Sequence, residues 1–143
     1  ETVMRVFLLT LVVVFAATSA KADNSLPETE TAAIRTVIQD QLDAFNRDDG
    51  VRAFSHASPD IQGIFQTVEV FMTMVRSGYQ PVYRSARHEF GQLHVVDGEP
   101  IQEVYVTGQD GMAALAVYTM QQQPDGTWKI NGCSLYPVPD VSV

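Results

Sequence analysis

Ile34, Val37, Ile38, Leu42 and Phe45 recur at steps of three and four residues, with Arg35, Gln39, Asp40 and Asp43 between them. This spacing lines the apolar side chains along one stripe of an α-helix. It predicts a helix over 30–48, capped by Thr29 or Thr31 and ended by Gly50. Three shorter helical pieces are expected next. Val51–Ala57 carries Val51 and Phe54 on one side, Ser58 and Pro59 read as an N-cap followed by a first-turn proline, and Thr67 caps a stretch to Ser77. In that last stretch Val68, Phe71, Met72 and Val75 form the apolar stripe and Gly78 is the stop. From Tyr83 onward the period becomes strand-like, punctuated by turns at Asp97-Gly98, Gln109-Asp110-Gly111 and Pro124-Asp125-Gly126. Four strands follow, over 86–96, 100–108, 112–122 and 127–136. Helices first and an antiparallel meander after give an α+β class, with the helices packed on one face of a four-stranded sheet.

Strict alternation sorts the last strand into one face with Trp128, Ile130, Ser134 and Tyr136 and another with Lys129, Asn131, Cys133 and Leu135. Either way its centre is small or polar, which leaves room for a cavity or a close approach at Gly132. The same alternation puts His88 and His94 on one side of the first strand, too far apart to share a metal. Residues 112–120 are apolar on both faces, which fits a central strand covered by helices on one side and by a second copy of the chain, or by its own tails, on the other.

Arg5 stands ahead of the apolar run Val6–Ala17, and Ala20-Lys21-Ala22 fits a small-residue cleavage site. We read residues 1–22 as a signal peptide, 23–29 as a flexible lead-in and 30–143 as one domain. The mature chain is then periplasmic or secreted, with no membrane anchor after cleavage. Removing Arg5, Lys21 and Glu1 makes the net charge of −8 one unit more negative and leaves Lys129 as the only lysine. An acidic chain of this kind repels phosphate backbones, so nucleic acid is not expected as a partner. One cysteine allows no internal bridge, and Cys133 reads as a buried thiol.

The order of helix, short helices and a sheet closing on Gly126-Thr-Trp-Lys-Ile130 resembles the nuclear-transport-factor-2-like α+β cone, whose sheet is strongly bent. More closely, the chain resembles a secreted bacterial family catalogued as domain of unknown function 4864. The matching pieces are Ile38–Phe45, Ala53–Ser55 with Ala57–Pro59, Tyr79–Arg84 and Gln123–Cys133. The wider superfamily includes steroid isomerases and dehydratases as well as proteins that only bind, so the resemblance implies a fold and a cavity rather than an activity. Isomerase chemistry in those enzymes uses a helix-one tyrosine and a carboxylate base. Here Gln41 stands at the tyrosine position, and Asp60, the nearest acid, reads as a first-turn charge.

Tyr79, Tyr83 and Arg84, with Arg87, His88 and Glu89 close behind, form the densest polar and aromatic cluster. In one reading Arg84 binds an anionic group, Tyr79 and Tyr83 wall the pocket and His88 carries a proton. In the other, the commoner use of such residues, the tyrosines pack and Arg84 pairs with a carboxylate. No H-E-x-x-H or C-x-x-C spacing occurs, so neither metal nor cofactor is expected, and His56 alone is no ligand set. The expectation is a non-enzymatic domain that binds a small molecule or partner segment between helices and sheet, at Tyr79, Tyr83, Arg84 and His88. An acid–base enzyme using His88, Tyr83 and Asp40 is the alternative, and an assembly role through the sheet face is the third.

Overall fold

The computed structural model describes residues 25–138, so the expected signal segment and the start of the lead-in lie outside the described residues. The order is α1 (Glu28–Asn46), α2 (Gly50–Ser55), α3 (Pro59–Phe65), α4 (Val68–Gly78), α5 (Gln80–Tyr83), then β1 (Ser85–Val96), β2 (Glu99–Gly108), β3 (Ala113–Gln122) and β4 (Trp128–Pro137). The strands form one antiparallel sheet in the order β1-β2-β3-β4, and the α+β class holds. Asp97 and Gly98 both take positive φ, 51° and 79°, in the two-residue turn that favours a β-hairpin.

Helix α1 starts two residues earlier than the pattern predicts. Pro27 rather than a threonine occupies the cap position, and its carbonyl takes the amides of Glu30 and Thr31. Glu28 and Glu30 put negative charge in the first turn, where it opposes the helix dipole. The helix also ends sooner. Asp48 turns the chain at a φ of 54°, and Asp49 caps α2 through the amide of Arg52. Gly50 is therefore the first residue of α2, not the stop of α1. A Cβ there would sit 2.8 Å from both Met72 Cγ and Val68 Cγ1, so glycine allows α2 to meet α4 closely. Ser58 and Thr67 cap α3 and α4 as the sequence indicates, accepting from the amides of Ile61 and Val70. The short helix α5 was not foreseen.

The stripe of α1 packs Ile34, Ile38, Leu42 and Phe45, all buried, on the inward row of the sheet, which includes Val104, Val106, Ala116, Tyr118 and Met120. At roughly 1.5–3 kcal/mol for each large side chain fully buried, this interface is the main source of stability for the helix. The segment joining α2 to α3 is stitched to β4. The amide of Ile130 bonds to His56 O, the amide of Ser58 bonds to Ile130 O, each at 2.8 Å, and Ser58 Oγ, fully buried, donates to Asn131 Oδ1 at 2.7 Å. This seam fixes α3 over one end of the sheet.

Of three register shifts in the sheet, one at the very start of β1 between Ser85 and Arg87, the other two overturn the strict alternation. In β1 the register shifts between Phe90 and Leu93, so Phe90 and Leu93 pair with the inward Val104 and Gln102 while His94 pairs with Ile101 on the other face. His88 and His94 therefore face opposite sides. In β4 the register shifts at Asn131: Ile130 pairs with Met120, Gly132 with Thr119 and Cys133 with Tyr118. One extra residue makes the strand change phase, so Trp128, Ile130, Cys133 and Leu135 share the inner face while Ser134 and Tyr136 are exposed. On β3 the outward Leu115 and Val117 are half-buried beside the exposed Tyr105 and Tyr136.

Candidate functional site

The helices do not fill the inner face of the sheet completely. A cavity of about 420 Å³ remains between α1, α3, α4, α5 and the β3–β4 edge. Its wall gathers residues from α1, α3, α4, α5, β3 and β4, with the small Ala57 of the α2–α3 joint among them. Phe71 is the hub of its aromatic side, with ring centres 4.9 Å from Phe54, 5.7 Å from Phe65 and 6.1 Å from Phe45. Ile61, Phe65 and Met74 are partly exposed and form the rim. No lining residue carries a charge; the polar groups are Gln41, Tyr79, Tyr118 and Cys133.

Each of these is held differently. Gln41 is buried on α1 and donates from Nε2 to Ala53 O at 3.0 Å. Because a carbonyl can only accept, this bond fixes the amide orientation and leaves Oε1 as the free acceptor. Tyr79 sits where α4 breaks into α5, and its hydroxyl donates to Cys133 O at 2.9 Å. Tyr118 is fully buried, directly opposite Cys133, and its hydroxyl has no hydrogen-bond partner among the described residues. Cys133 is partly rather than fully buried, yet desolvation in the apolar wall pushes its thiol up to about 12, a rise that the Tyr118 hydroxyl beside it tempers, and burial likewise raises Tyr118 and Tyr79. All three are thus neutral near pH 7.

Of the residues expected to bind a ligand or carry a proton, Tyr79 alone reaches this cavity, while Gln41, Gly132 and Cys133, singled out on other grounds, also line it. Tyr83 and Arg84 are drawn to the end of α1 instead. Arg84 Nη2 meets Asp48 Oδ2 at 2.6 Å, its Nη1 donates to Phe45 O, and its guanidinium lies 4.0 Å over the Tyr83 ring. The Tyr83 hydroxyl donates to Asp48 Oδ1 and accepts from Arg76 Nε at 3.2 Å. Tyr83 and then Arg84 hold the Asp48 carboxyl below its usual range. The guanidinium expected to bind an anion is therefore committed to Asp48 and to a carbonyl in the last turn of α1. His88 contacts Gln39 Oε1 at 2.5 Å and the edge of Phe90, facing α1 rather than the cavity. Asp40 lies on the α1–α2 junction, where its Oδ2 takes Arg52 Nε at 2.7 Å and His56 Nε2 at 2.5 Å. The Arg52 bond first, and His56 second, lower its carboxyl to about 2. Neither Asp40 nor His56 lines the cavity.

Sequence reasoning passed over Tyr118 and Phe71 as ordinary core. Alternation did hold a signal for Tyr118, the one polar group in an inward row that otherwise reads Ala114, Ala116 and Met120. Among the described residues no three His, Cys, Asp or Glu side chains come together to hold a metal. No described helix is long and apolar enough to cross a membrane.

Fold and site together define an α+β domain built around an uncharged cavity between its helices and its sheet. The chain belongs to the family described as Domain of unknown function (DUF4864), whose model matches residues 27–143. No curated protein matches it.

Proposed function

We propose that the chain is a non-enzymatic binding protein that takes a small, largely apolar molecule into the cavity between helices and sheet. The observation that carries this reading is the cavity itself, of a size usual for small-molecule sites and walled by apolar and aromatic side chains with few polar groups. The wall holds no histidine or carboxylate, and burial keeps its tyrosine and cysteine groups protonated, which favours binding over general acid–base chemistry there. The apolar run before Ala22 supports placing this binding role in the periplasm or outside the cell. The bulged strands β1 and β4 favour the bent sheet of the nuclear-transport-factor-2-like superfamily, in which such cavities are used.

The test is fluorescence titration with the neutral probe N-phenyl-naphthylamine. The protein is expected to brighten it saturably. Met74→Trp, which places bulk at the partly exposed rim, is expected to weaken binding about tenfold or more while the protein still melts cooperatively. Absence of saturable binding, or equal binding by Met74→Trp, overturns the reading.

A further inference from the structure

The polar groups of the cavity wall differ in what they have left to offer. Gln41 has spent a donor on Ala53 O, and Tyr79 has spent its only one on Cys133 O. Tyr118 has spent least: the residue lines the same cavity, and its buried hydroxyl meets no partner in ordinary hydrogen-bond geometry among the described residues, with only the Cys133 thiol beside it. Its neighbour across the strands, the Cys133 thiol, is at best a weak acceptor. A buried hydroxyl left in this condition is unfavourable, and a ligand that brings an oxygen acceptor removes the penalty. Discrimination follows as well, because a molecule without the acceptor seals the donor away from water unpaired. Charge is excluded by the same wall. None of the lining residues can neutralise a carboxylate or an ammonium, and burying either without a counter-charge is prohibitive.

We propose that the ligand is an uncharged, largely apolar molecule carrying a carbonyl-type oxygen, which accepts the Tyr118 hydroxyl proton in a hydrogen bond. This deepens the binding reading above and rests on it. The free Gln41 Oε1 suits a ligand that also carries a hydroxyl or amide donor, and the Tyr79 hydroxyl oxygen can accept from the same group.

Two matched probe sets test it by calorimetry: acetylnaphthalene, ethylnaphthalene and naphthoate on a flat skeleton, and methyl hexyl ketone, octane and octanoate on a linear one. In at least one set the ketone and the hydrocarbon are expected to bind and the carboxylate not to. Tyr118→Phe is expected to lower the ratio of ketone to hydrocarbon affinity about fivefold, the worth of one neutral hydrogen bond, with hydrocarbon affinity equal to or above the parent's. Hydrocarbon binding by Tyr118→Phe also shows that the variant folds and keeps its cavity. If the hydrocarbon binds but the ratio is unmoved by Tyr118→Phe, or the carboxylate binds as tightly as the ketone, the ligand class is wrong and the cavity reading stands. If no neutral probe of either set binds, the cavity reading falls and takes the ligand class with it.

Discussion

Tyr118 and Cys133 stand directly opposite each other on β3 and β4, and their two weakly acidic groups share one desolvated corner of the cavity. Both stay protonated for the same reason: an anion there would have apolar wall around it in place of water.

The thiol is therefore slow. Raising Cys133 from 9.0 to about 12 cuts its thiolate fraction about a thousandfold, and the greater intrinsic nucleophilicity of a more basic thiolate returns part of this. Iodoacetamide labelling of the folded protein is expected to run about thirtyfold or more slower than labelling of the urea-unfolded chain at the same mildly alkaline pH. Mass spectrometry of the alkylated peptide over time checks this, and comparable rates in the two states would contradict it.

Asp40 sets a pH dependence at the opposite extreme. Its carboxyl is lowered from 3.8 to about 2 in the folded chain by Arg52 and His56, so the folded state favours the ionised form. The contribution is fully present above the unfolded value and fades as pH falls through the folded one. Asp40→Asn is expected to unfold at lower urea than the parent at neutral pH and to lose that deficit near pH 2. The side chain is about one-third exposed, so solvent screening keeps the effect modest. A deficit that is constant across this range would mean that packing, not charge, joins α1 to α2 here.

Arg84 separates stability from binding. Its bonds to Phe45 O, Asp48 and the Tyr83 hydroxyl tie α5 to the end of α1, and Arg84 itself does not line the cavity. Arg84→Lys keeps the charge but loses the planar fork that serves three partners at once. It is expected to lower the melting temperature by several degrees and to leave probe affinity within twofold of the parent, about the scatter expected of a change outside the site. A large fall in affinity with unchanged melting would instead make Arg84 a ligand contact.

Local signals in the sequence carried furthest. The α1 stripe and the caps at Ser58 and Thr67 are decided within a turn of chain, so spacing alone reveals them. The strand edges follow the turn glycines, Gly98, Gly111 and Gly126, each at positive φ. Orientation within β1 and β4 was lost because a single extra residue inverts everything after it. Yet Gly91 and Gly132 mark both irregularities, and an isolated glycine in a strand is a recognised bulge signal. The polar cluster at 79–89 misled for a tertiary reason. Tyr79 leaves helical geometry, at φ −134° and ψ 41°, so Tyr79 and Tyr83 do not share a helix face and turn to different neighbours. Likewise the cavity is walled by residues of four helices and two strands, a gathering that no single segment records.

The phase change at Asn131 has a consequence for how this family can vary. With Gly132 lost, or one residue added beside it, and the bulge at Asn131 kept, Ser134 and Tyr136 would take the inward positions that Cys133 and Leu135 now hold. The chemistry of that wall is thus set by a count as well as by an alphabet, and a gap or insertion in β4 edits the cavity more sharply than a substitution does.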